Sequence, residues 1–130
     1  MGAQFTVAVS RRLVLVAFEG DTPLAEIKGL DSLIRAHPDF DPDFSEIIDA
    51  SGVAAKVTIS AADIREIARR KTIFSPTSMT VIIAPRDYIF GLARMGQIFA
   101  ENTNPNIAVV RSMEEAVALL NNRGQARFAG

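Results

Sequence analysis

The chain has 130 residues, 48% of them hydrophobic and 22% charged, with a net charge of −1 and no cysteine. That length suits one domain with a real core, and the balance of apolar and charged residues excludes a disordered chain. A charge near zero, with both signs scattered, leaves no field to recruit nucleic acid or an anionic membrane. Without cysteine there is no disulfide, thiolate metal site or cysteine nucleophile.

Met1-Gly2-Ala3-Gln4 leads straight into an alternating pattern, with no basic segment followed by an apolar stretch, so no signal peptide is expected. Phe5, Val7 and Val9 alternate with Gln4, Thr6, Ala8 and Ser10, the period-two signature of a half-buried strand. Ser10-Arg11-Arg12 interrupts, and Leu13–Phe18 reads as a second strand, apolar on both faces, closing a hairpin. Such apolar runs are far too short to cross a bilayer, so stable membrane insertion is not expected and a cytoplasmic location is.

Thr22 is placed to cap a helix, with Pro23 at its first position and Leu24, Ile27, Leu30 and Ile34 at helical spacing. The turn-rich stretch from His37 to Phe44 ends it, with Phe40 and Phe44 anchoring the loop to the core. A short third strand is expected over Glu46–Ala50. Ser60 with Asp63 forms an acidic capping box for the next helix, whose inner face carries Ile64, Ile67 and Ala68. Arg65, Glu66, Arg69, Arg70 and Lys71 are assigned to water.

Ser75-Pro76-Thr77-Ser78 is the next break, and Met79–Ala84 a strand apolar on both faces. A helix follows from about Arg86 to Glu101; Gly91 and Gly96 within it lack the spacing of a phosphate loop and read as close-packing positions. Ile107–Val110 is the last strand. Ser112 and Glu115 form a second capping box for a closing helix carrying Met113, Ala116, Val117 and Leu120, and 121–130 reads as a frayed tail. The order is β-β-α-β-α-β-α-β-α: an α/β chain with a mostly parallel five-stranded sheet opened by a β-hairpin, one domain over 1–130.

This order resembles the STAS superfamily, which includes anti-sigma-factor antagonists and SpoIIAA-like proteins. Phe40-Asp41-Pro42-Asp43-Phe44, then Ile48-Asp49, then Ala84-Pro85 through Phe90-Gly91-Leu92-Ala93-Arg94-Met95 look like a bacterial subgroup of it. The resemblance implies a regulatory or protein-interaction module. Anti-sigma antagonists carry an Asp-Ser pair at the start of the helix after the third strand, where a kinase acts. Here Ser60 stands at that helix start but follows Ile59, and the loop from Asp49 is longer, so the resemblance implies a regulator without the usual phospho-serine switch. Some STAS-like domains resemble the lipid-binding CRAL-TRIO domains, and the alternative is a domain binding a small apolar or anionic ligand, between helix and sheet or at the carboxyl edge of the strands.

Asp49, Ser51 and Ser60 are the candidates for a phospho-acceptor or binding loop. A phosphate on Ser60 would meet free N–H groups at a helix N-terminus, although capping by Ser60 is the commoner use. Asp49 ends its strand where receiver domains keep a phospho-accepting aspartate, but Ala84 and Arg111 stand where a receiver needs a hydroxyl and a lysine; a turn-forming role before Ser51-Gly52 fits better. Arg86, Phe90 and Arg94 are the candidate partner or ligand patch. His37, the one histidine, makes no metal cluster, and no nucleophile–base pair or cofactor motif assembles, so neither metal, cofactor nor catalysis is expected.

The doubly apolar strands add a physical constraint. If successive strands lie side by side, right-handed crossovers put their helices on one face. The other face then calls for a helix that switches sides, a second subunit in a homodimer, or an apolar ligand.

Overall fold

A computed structural model describes residues 2–54 and 59–125. It contains β1 (Ala3–Ala8), β2 (Leu13–Gly20), α1 (Leu24–Ala36), β3 (Ser45–Val53), α2 (Ala61–Ala68), β4 (Thr80–Ile83), α3 (Asp87–Phe99), β5 (Ile107–Val110) and α4 (Met113–Asn122). The five strands form one sheet in the order β1-β2-β3-β4-β5; β1 is antiparallel to β2 and every other pair is parallel.

Sequential strand order and the alternation of side chains sort the helices. Val14 and Val16 pack with Leu30 and Ile34 of α1, while Ala50 and Val53 pack with Ile89 of α3. The opposite face carries Leu13, Ile47, Val81 and Ile83, and these meet Ala116 and Leu120 of α4. Three helices therefore share one face, and α4 is the helix that switches sides. Each fully buried aliphatic chain here contributes roughly 1.5–3 kcal/mol by leaving water.

Several boundaries differ from the sequence reading, each for a local reason. Val9, expected inward on β1, is 52% exposed, because the hairpin turns through a 3-10 segment (Val9–Arg11) closed by Arg12 with φ 55°. Thr22 does not cap α1. Its hydroxyl donates to the Gly2 carbonyl at 2.8 Å instead, and Pro23 takes the cap position. The third strand runs beyond Ala50 to Val53 because its pairing with β2 shifts past Asp49↔Ala17 to Gly52↔Glu19, which fits one extra residue into β3 as a bulge. Ser112 caps α4, but Glu115 Oε1 accepts from the Arg111 N–H, one residue before the cap, so the expected reciprocal box does not close.

Phe44 is buried and Phe40 stacks edge-on against Phe74, so both anchor the loop after α1 as expected. Gly96 gives α2 and α3 room: a Cβ there would meet Ile64 at 3.4 Å. Gly91, in contrast, faces open space and has no packing role. The final helix extends through Asn122, and the Gln125 carboxamide accepts from the Ser45 hydroxyl at 3.0 Å; the rest of the expected tail, 126–130, lies outside the described residues.

Candidate functional site

The three helices sharing one face do not press fully onto the sheet. Between them and the strands lies a cavity of about 280 Å³, walled by aliphatic side chains such as Val16, Leu30, Ile48, Ile67, Ile82 and Ile107. Small residues on the helix side, Ala68, Ala93, Gly96 and Ala100, leave that space open. Ile82 shows the consequence: it sits on an inner strand yet is only half-buried.

One carboxyl group belongs to this apolar wall. Glu46 is directly beside Thr80 in the β3–β4 register, 8% exposed, and its Oε1 accepts from the Thr80 hydroxyl at 3.2 Å. Burial pushes its carboxyl up from 4.5 to about 8; the nearby Asp31 carboxylate pushes the same way, and the Thr80 bond opposes both. An acid so placed is uncharged at neutral pH. It offers the cavity an O–H donor.

Asp31, on α1, and Arg70, just beyond α2, also line the cavity and form an ion pair, Nη2 to Oδ2 at 3.4 Å, with about a third of each side chain exposed. Burial raises the Asp31 carboxyl above its ordinary value, while Arg70 and Arg35 pull it back. The pair bridges the cleft between α1 and the end of α2. Arg70 was expected on the watery face of a longer helix. Because α2 stops at Ala68, Arg70 lies past the helix end and reaches Asp31.

The residues singled out from sequence stand elsewhere and do not converge. Asp49 Oδ1 accepts from both the N–H and the hydroxyl of Ser51, at 2.9 and 2.6 Å, so the two satisfy each other at the bulge of β3. Ser60 and Asp63 form the reciprocal capping box of α2. The loop between Ser51 and Ser60 is described only in part, since 55–58 lie outside the described residues. Arg86 donates to the Val53 carbonyl at 2.9 Å. Phe90 lies under the Arg111 guanidinium, 3.8 Å from its ring centre, and Arg111 in turn bonds Asp87 at 2.7 Å. Arg94 is exposed, beside Gln97 and Ile98.

Glu46, Asp31 and Arg70 were not picked out from sequence. The signal for Glu46 was its place in a strand between two doubly apolar strands, where a carboxyl is largely withdrawn from water. Among the described residues, no group of three or more His, Cys, Asp or Glu is placed to hold a metal, and no helix is long and apolar enough to cross a membrane.

Compared with known proteins, the chain matches no family model and no curated protein.

Proposed function

We propose that this chain is a non-enzymatic binding domain that takes a small apolar ligand between its sheet and α1, α2 and α3. The cavity carries this reading: its volume approaches the range of small-molecule sites, its walls are aliphatic, and a few polar groups gather at one end. Native mass spectrometry of protein isolated gently from its own cell tests it. A co-purifying small molecule, lost on denaturation, is the expected result; apo protein that also takes up no apolar probe overturns it.

A second reading is a regulatory or protein-interaction module of STAS type. The hairpin followed by helix–strand units supports it, as do the exposed Leu33 on α1 and Tyr88 and Ile98 on α3. Ser60 and Asp63 are mutually bonded at the helix start, which favours a cap over a phospho-switch in either reading. Reproducible capture of one protein by the apo chain, lost when Tyr88 and Ile98 are replaced by polar residues, would favour this alternative.

A further inference from the structure

The ligand reading leaves open which chemistry the cavity prefers, and the inference below rests on that reading. We propose that Glu46 is the head-group residue of the cavity, donating the O–H of its uncharged carboxylic acid to an oxygen acceptor on an uncharged apolar ligand, such as an alcohol, ketone or ester.

Four observations carry this. First, the acid is built into the wall: it is fixed by the β3–β4 register, nine-tenths buried, and held at Oε1 by Thr80. Second, among the described residues Thr80 provides the one hydrogen bond of this carboxyl, so Oε2 is left for a ligand. It is not sealed away, because the described residues include no walled-in polar side-chain atom lacking a partner. Third, among the described residues no cation pairs with Glu46. The Arg70 guanidinium is on Asp31, and an ionised Glu46 would be an uncompensated charge among aliphatic side chains.

Fourth, a charged head would have to lose its water among aliphatic side chains. The groups facing this end are Asp31 and Arg35 on α1, Arg70 and Lys71 beyond α2, and the Thr80 hydroxyl on β4. An anionic head would find Arg70 already paired with Asp31, and would otherwise be desolvated against apolar walls. A cationic head would have to lose its water in an apolar cavity and also ionise Glu46. An uncharged oxygen acceptor faces neither cost. It accepts from the Glu46 acid while its chain lies along Ile48 and Ile82.

The test titrates decanol, decanoate and decylamine against the full chain, following displacement of an apolar fluorescent dye, at about pH 6 and about pH 9, on either side of the Glu46 transition. Wild type, Glu46→Gln and Glu46→Leu are compared, each first shown to melt cooperatively. Glu46→Gln keeps size, donor and acceptor, so the test stands even if Glu46→Leu does not fold. Decanol is expected to bind tightest of the three probes at the lower pH. Its affinity falls for wild type at the higher pH and is unchanged for Glu46→Gln. Loss of the hydrogen bond in Glu46→Leu costs about tenfold.

Tighter binding of decylamine or decanoate than decanol overturns the head-group assignment, as does a wild-type affinity for decanol that ignores pH. Equal decanol affinity in wild type and Glu46→Leu does the same while leaving the cavity reading intact. Failure of all three probes to bind removes both.

Discussion

The Thr80 hydroxyl donates to Glu46 Oε1 at 3.2 Å, across the register that sets the two residues side by side on β3 and β4. This places a carboxyl group on an inner strand and satisfies one of its oxygens without supplying a counter-charge. A neutral hydrogen bond of this kind contributes about 1 kcal/mol, far less than ionising a buried acid costs. The protonation state of Glu46 is therefore tied to folding.

Stability should fall as pH rises through neutrality. Glu46 ordinarily titrates at 4.5 and in the fold at about 8. Between those values the unfolded chain has released a proton that the native protein still holds, so raising pH favours unfolding; above about 8 the loss levels off. Asp31, also raised, acts in the same direction from its lower ordinary value. Urea denaturation across this window should show a loss on the order of a few kcal/mol. Glu46→Gln should flatten most of it and exceed wild type in stability at the alkaline end. A wild-type profile that is flat or rises over that window would contradict the buried uncharged acid.

Ser60→Ala should cost about 1 kcal/mol, the usual value of an N-cap, read as a lower urea midpoint with an unchanged slope. The reason is that the Ser60 hydroxyl accepts from the Asp63 N–H at 3.2 Å and α2 is only eight residues long. No change in the midpoint would show that the reciprocal box does not hold the helix start.

Leu120→Ala should be among the more damaging single changes, about 2–5 kcal/mol. Leu120 is fully buried against the face that α4 alone among the helices covers. Leu33→Ala, a change of the same chemistry on the exposed side of α1, should lie within about 0.5 kcal/mol of wild type. Equal effects in denaturant melts would contradict the placement of α4.

Ala93→Leu should fill part of the cavity from α3. Ala93 is half-buried and lines the open space, so added methyl groups gain contacts there rather than clash. The expected outcome is a higher melting temperature together with loss of decanol uptake. A lower melting temperature with uptake intact would mean that this wall is already packed.

The scaffold could be read from the sequence because its signals are local. The Ser60–Asp63 box, the period-two pattern of Phe5 and Val7, and the breakers at Pro38 and Pro76 act within a few residues of themselves. Thr22 misled because its hydroxyl is claimed by Gly2, twenty residues earlier, an interaction with no local trace. The site was less legible for the same reason. Glu46 looks like an ordinary strand-end carboxylate until the sheet order puts β2 and β4 on its two sides. Arg70 continues a run of charged residues, and only the end of α2 at Ala68 turns it toward Asp31. Asp49 and Ser51 drew notice by residue type, yet they serve the bulge between them.

Ligand uptake between the sheet and α1, α2 and α3 is tested most directly by a methyl-resolved NMR titration of the full chain with decanol. Shifts are expected at Ile48, Ile82 and Ile107, which line the cavity, and none at Leu13, Ile47 and Leu120 across the sheet. Unchanged spectra, or shifts spread equally over both faces, would contradict it.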